Sequence, residues 1–141
     1  MKLISKLLLA TLFFTLALSS CKKYPDGPTI SLRTKKHRAE GEYRLEKYTY
    51  NGVDQTSALQ TLGGDDYEFH LEKDGTYHVH GNLADEGTWK FSSDKKNIIT
   101  LSNTAGSTEQ VYEILMLKNK EMWLKHTLAN GDVLEFHWKE D

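Results

Sequence analysis

From residue 41 to the end of the chain, apolar side chains recur at every second position, and this regularity limits the possible folds more than any other feature. Leu134, Phe136 and Trp138 alternate with Val133, Glu135, His137 and Lys139, and Tyr67, Phe69 and Leu71 alternate with Asp66, Glu68 and His70. Successive side chains of a strand point to opposite faces, so each segment reads as a strand with one buried and one wet face. The pattern predicts eight strands, at roughly 42–50, 66–72, 76–81, 87–92, 97–102, 109–117, 121–127 and 132–139. No amphipathic helix of useful length competes with them.

Turn chemistry sets the order of pairing. Asp74-Gly75, Ser93-Asp94-Lys95-Lys96, Asn119 and Asn130-Gly131 each fall between consecutive strands, where tight hairpins need residues that tolerate positive φ or bond their own backbone. Consecutive hairpins make a meander. A flat sheet of eight strands would leave its apolar face bare and two edges open, whereas closing it removes both problems. The expected fold is therefore all-β, an eight-stranded antiparallel up-and-down β-barrel. Its inward positions include Tyr43, Tyr67, Phe69, Tyr77, Trp89 and Phe91, then Ile99, Leu101, Tyr112, Ile114, Met116, Leu124, Phe136 and Trp138. A barrel of about eight strands is either just filled by side chains or holds one small ligand, and so many rings favour a packed interior.

The first 40 residues differ in kind. Lys2 and Lys6 precede an apolar run from Leu7 to Leu18, too short for the roughly 20 residues of a membrane-spanning helix and typical of a signal peptide. Leu18-Ser19-Ser20-Cys21 follows and resembles the lipobox of lipoprotein precursors. On this reading residues 1–20 are removed, and Cys21 becomes the lipidated first residue, anchored by its acyl chains. Cys21 is the only cysteine, so the remaining chain has no internal disulfide and depends on packing. Residues 21–40 form a basic tether with six Lys or Arg against Asp26 and Glu40, and Pro25, Gly27 and Pro28 keep its start irregular. The tether is either a solvated linker or a contact for anionic headgroups. Residues 29–40 are expected to contribute a short helical or extended segment that packs against one barrel end through Ile30 and Leu32. Residues 41–141 carry ten basic and 18 acidic side chains, which argues against nucleic-acid binding.

Several short motifs carry a family resemblance. Gly41-Glu42-Tyr43, Tyr48-Thr49-Tyr50-Asn51-Gly52, Lys73-Asp74-Gly75-Thr76-Tyr77, Gly87-Thr88-Trp89-Lys90-Phe91 and Tyr112-Glu113-Ile114 together resemble the lipocalin-like domain of small bacterial lipoproteins. The leader segment Asp26-Gly27-Pro28, with Ile30 to Lys36, is similar to leaders of such proteins. The resemblance implies a lipocalin-like barrel over residues 41–141, held on a lipid anchor in the cell envelope with an outer-membrane address. It supplies no catalytic residues.

Candidate sites follow from the barrel. Residues 51–65 form the longest interruption, and long loops in compact domains often act as lids. Asp54 can cap a short helical turn there through Ser57, and Val53, Ala58, Leu59 and Leu62 give it an apolar side. The segment is either a gate over the barrel mouth or a plain packing element. Tyr43, Tyr77, Trp89, Tyr112 and Trp138 would line a lumen beneath it, with Leu59 and Leu62 contributed by the lid. Pairing Leu71 with Tyr77 across the Asp74-Gly75 turn sets His70 opposite His78, with His80 nearby. Opposed imidazoles suit a metal, although an outward strand face accepts histidine without one, so His70, His78 and His80 are weak candidates only. No cofactor is expected. The chain has no serine elbow or phosphate loop, and its lone cysteine is taken by lipid, so an enzyme is not expected either.

Two functions remain open: a monomeric, membrane-anchored binder of a small apolar or amphipathic ligand, or a ligand-free interaction module that contacts an envelope protein or a glycan. The anchor is testable without knowing either. Cys21→Ala, expressed in a native-like host, is expected to give an uncleaved or unlipidated form that leaves the membrane fraction. Unchanged gel migration with full membrane retention would refute lipidation at this residue.

Overall fold

The computed structural model describes residues 33–140; the leader read as a signal peptide, Cys21, Ile30 and Leu32 lie outside the described residues. Nine strands follow in chain order: β1 Gly41–Tyr50, β2 Val53–Asp54, β3 Glu68–Leu71, β4 Thr76–Val79, β5 Asp85–Phe91, β6 Asn97–Ser102, β7 Gln110–Leu117, β8 Glu121–Thr127 and β9 Val133–Glu140. Every pairing is antiparallel between sheet neighbours, and β1 also pairs with β9, so that eight strands close into a barrel. The two-residue β2 folds back on β1 through Asn51 (φ 48°) and Gly52 (φ 79°). Two successive positive φ values are what a tight hairpin turn asks of an Asn-Gly pair. The segment expected to be all lid thus begins as a hairpin.

The turns after β3, β5 and β7 share one end of the barrel, here called the floor, and those after β4, β6 and β8 share the mouth. The floor is closed by α1, Lys35–Ala39, whose first turn is capped by the Thr34 hydroxyl accepting from His37 N–H at 3.2 Å. Arg38, only 5% exposed, donates from Nη1 to the Leu117 carbonyl at 2.5 Å. Tyr43 returns its hydroxyl to the Arg38 carbonyl at 2.8 Å, and Lys35 Nζ donates to the Lys95 carbonyl. Residues 35–39 are therefore part of the folded unit, which begins earlier than the boundary at residue 41. They meet the barrel end through a buried guanidinium and Ala39.

Inside, Tyr43, Leu45, Leu71, Ile114, Leu117, Met122 and Leu124 fill the core with Trp89 and Trp138. Two bulges adjust this parity. One lies between Leu45 and Lys47 on β1 and brings Tyr48 opposite Phe136, their rings 5.0 Å apart. The other lies between Ile114 and Met116 on β7, so that Leu117 pairs with Met122 in the core while Met116 pairs with Trp123. The expectation for β6 needs correction. Ile98 and Thr100 are buried and Leu101 is 39% exposed, the reverse of the parity that put Ile99 and Leu101 inside. The partner strand decides this, because Trp89 pairs with Thr100 and Phe91 with Ile98, and both rings are inward. A one-residue slip would turn every β6 side chain over.

If α1 is a structural floor, Arg38→Ala should destabilise the barrel, since it leaves the Leu117 carbonyl buried and unpaired. Such losses cost about 1–3 kcal/mol. For a domain of this size each kcal/mol lowers Tm by about 4–8 °C. Thermal unfolding of Arg38→Ala at an unchanged Tm would return residues 33–40 to the role of tether.

Candidate functional site

The site is built at the mouth half of the barrel, where three neighbouring strands carry small or polar side chains inward. On β5 the parity of Trp89 runs back through Gly87 to Asp85, and on β6 it runs from Ile98 through Thr100 to Ser102. Gly87 is required by this approach, because an added Cβ would lie 2.0 Å from the Leu101 carbonyl oxygen and 2.8 Å from the Tyr77 ring. On β7, Gln110 faces Thr100 and Tyr112 faces Ile98. These residues enclose a polar chamber of about 330 Å³. Its rim is formed by the segment that includes Gly106, Ser107 and Thr108.

Asp85 organises the chamber. Its Oδ2 accepts from the Tyr77 hydroxyl at 2.6 Å and its Oδ1 from Ser102 Oγ at 2.6 Å. Partial burial works to raise its pKa, but the hydrogen bonds from Ser102, Tyr77 and the Glu86 backbone prevail and hold the carboxyl below the usual range. The phenols respond oppositely. Tyr77 is raised by burial first and then by its bond to Asp85. Tyr112 is raised mainly by burial, and burial pushes Tyr67 up to about 12. At neutral pH the carboxylate is charged and the phenols keep their protons.

Beside the chamber lies an apolar cleft of about 100 Å³ between Tyr67, Leu124, Phe136 and Trp138. Phe69, Val79 and Tyr112 border both spaces and form the wall they share. The rings of Phe69 and Trp138 lie 5.4 Å apart, and Phe136 stacks on Trp138 at 6.0 Å and 9°. The chamber is thus charged and hydrogen-bonding. The cleft beside it is aromatic and apolar.

A model of the lipocalin-like domain family matches residues 40–124. The chain belongs to that family. No curated protein matches it in sequence. The match spans the lipocalin-like domain from the residue after α1 into β8 and leaves out β9, although Phe136 and Trp138 of β9 complete the cleft.

In this lipocalin-like domain the seven lumen and lid residues expected from sequence divide in three. Tyr77, Tyr112 and Trp138 border the cavity. Tyr43 and Trp89 do not, because their polar atoms are tied near the floor, Tyr43 to the Arg38 carbonyl and Trp89 Nε1 to the Glu72 carbonyl at 2.9 Å. Leu59 and Leu62 belong to α2, Thr56–Gly63, which lies against β1 with Gln60 Nε2 3.3 Å from the Leu45 carbonyl. Leu59 packs on the core without reaching the cavity, and Leu62 is 63% exposed. Gly63 accepts from Asn82 N–H at 2.6 Å, which fixes α2 to the loop after β4. The chamber opens beside residues 106–110, and a separate groove of about 430 Å³ runs between α2 and β1, lined by Leu45, Gln60, Gly64 and Tyr67. Asp54 bonds Thr56, N–H at 2.9 Å and hydroxyl at 2.7 Å, where Ser57 was expected.

On the outer face His70 does pair with His78, and the rings of His70 and His80 lie 4.3 Å apart. His70 Nε2 is 3.0 Å from Glu68, while His78 lies 3.7 Å from Glu86. Among the described residues no three His, Cys, Asp or Glu side chains come together as a metal would require.

Asp85, Thr100, Ser102 and Gln110 were missed as site residues. Asp85 stands beside Glu86 at a strand end, where acids are ordinarily solvated, and only its parity with Trp89 marks it as inward. Because the folded-state pKa of Asp85 is depressed, its carboxylate stabilises the fold at pH values above the unfolded value of about 3.9, and that contribution disappears as pH falls through the lower folded value. Asp85→Asn should accordingly be less stable than the parent at pH 7, with the gap closing as pH falls below the unfolded value of about 3.9. Urea unfolding at several pH values reads this directly. A gap independent of pH would remove the charged Asp85 from the account.

Proposed function

We propose that the barrel is a binding protein for a small amphipathic molecule, with the polar group in the Asp85 chamber and the apolar part in the cleft against Trp138. The observation that carries this reading is that the charged chamber and the apolar cleft lie side by side on one shared wall of Phe69, Val79 and Tyr112. A cleft of about 100 Å³ has room for a single ring or a short chain, which argues against long acyl chains and macrocycles. Burying on the order of 100 Å² of apolar surface contributes about 2.5 kcal/mol. Much of that is offset by lost motion, so affinity rests on the polar end. We further propose that the domain works at an envelope membrane, held there through Cys21, and binds its ligand without chemical change. Asp85 is well placed to orient a ligand, since its two oxygens are already engaged by Tyr77 and Ser102.

A second reading rests on the mouth rim. Val53, Leu62 and Leu83 are 59%, 63% and 44% exposed at that end of the barrel. Apolar side chains left in water at one end favour contact with another envelope component.

Two measurements separate the readings. Solvent extraction of the chain purified from native envelope, followed by mass spectrometry, is expected to release a small amphiphile. Val79→Phe, which fills the junction of chamber and cleft, should abolish its recovery at an unchanged Tm. A parent protein that yields no small molecule would favour the rim, with pull-down from the envelope as the next step.

A further inference from the structure

The hydrogens around the chamber are unequally distributed between acceptors and donors, and this bears on which polar group it takes. The Tyr77 and Ser102 hydroxyls both spend their hydrogens on Asp85. Gln110 directs its Nε2 to the Thr108 carbonyl at 3.2 Å and to Thr108 Oγ1 at 3.3 Å, which leaves its own carbonyl oxygen uncommitted. Ser102 Oγ also accepts from the Thr104 N–H at 3.1 Å, so the acceptor positions left toward the cavity belong chiefly to Asp85 and the Gln110 carbonyl. A carboxylate has about four acceptor positions, and two donors on Asp85 leave it others. No Lys, Arg or His borders the chamber, and among the described residues none pairs with Asp85. The result is a site rich in acceptors, with one negative charge and no cation to balance it.

Resting on the lumen reading above, we infer that the chamber selects a primary ammonium as the polar group, bonded to the Asp85 carboxylate and to the Gln110 carbonyl oxygen, with a ring-sized apolar part in the cleft. A protonated amine carries three donors and no acceptor, the complement of what the chamber offers. A carboxylate ligand would set like charges together, and with Tyr112 and Thr100 already bonded to each other it would find its hydroxyl donors only at the rim, on Ser107 and Thr108. An alcohol meets the same acceptors with one donor and no charge. Asp85 stays ionised at neutral pH, which keeps the preference in force where such an amine is itself protonated.

Calorimetric titration of the purified full chain with 2-phenylethylamine, 2-phenylethanol and 3-phenylpropanoate holds the apolar part nearly constant and changes the polar group alone. The amine is expected to bind at least tenfold more tightly than the alcohol, a difference of about 1.4 kcal/mol, and the acid most weakly. Asp85→Asn should bring the amine down to the level of the alcohol, whose own loss is expected to be the smaller because it carries no charge to pair with Asp85. Gln110→Lys, at an exposed position whose change the fold tolerates, sets a cation at the chamber and should erase the amine preference even if Asp85→Asn folds poorly. Equal binding of all three, or an amine preference that survives both substitutions, would overturn the ammonium assignment and leave the lumen reading standing. Binding of none of them would overturn the lumen reading, and the assignment with it.

Discussion

Closure of the sheet between β1 and β9 is the constraint on which the rest depends. Once Leu45 is paired with Trp138 and Tyr48 with Phe136, each of the eight closing strands has a partner on both sides, and its inward residues are fixed by those two neighbours. Where local preference and the ring of pairings disagree, the ring prevails. On β6 the more apolar pair, Ile99 and Leu101, is turned outward because Trp89 and Phe91 on the adjacent strand claim the inside. The exposed Leu101 is the cost. The return is a pair of hydroxyls, Thr100 and Ser102, in the interior.

Those hydroxyls make a buried-side carboxylate tolerable. An unpaired charge within a barrel would be neutralised or expelled, and burial alone would raise the Asp85 pKa. Ser102 and Tyr77 supply the donors that reverse the sign. The same bonds remove the hydrogens through which the chamber would otherwise greet an acceptor. Stabilising Asp85 and shaping the chamber's preference are thus one arrangement, and both follow from the β6 parity.

Much of the fold was legible because period-two alternation reports strands and short turn motifs report their order. The eight closing strands fall close to the segments expected, and the Asp74-Gly75 turn delivers the Leu71 to Tyr77 register foreseen for it. The site was legible only in part. Tyr77, Tyr112 and Trp138 were found because large inward rings stand out in a pattern. Asp85, Thr100 and Ser102 were missed because parity alone identifies them, and polarity argues the other way. The lid was misplaced for a different reason. Residues 51–65 are long enough to cover the mouth, yet a hairpin at Asn51-Gly52 and the Gly63 to Asn82 bond lay α2 along β1 instead. Neither tie follows from loop length.

The remaining question is why a barrel so rich in rings has any space. The two ends are filled differently. At the floor Tyr43 and Trp89 are locked by hydrogen bonds to the backbone, and α1 adds Arg38 and Ala39 from outside the sheet. At the mouth the inward positions of β5 and β6 are Asp85, Gly87, Thr100 and Ser102, whose combined bulk is far smaller. Gly87 cannot be enlarged, because the Leu101 carbonyl occupies the place of its Cβ. Close strand approach at that point and open volume beside it therefore have one origin. A ring count taken over the whole barrel averages the two ends and predicts a filled interior, whereas their separation along the axis leaves the mouth half open.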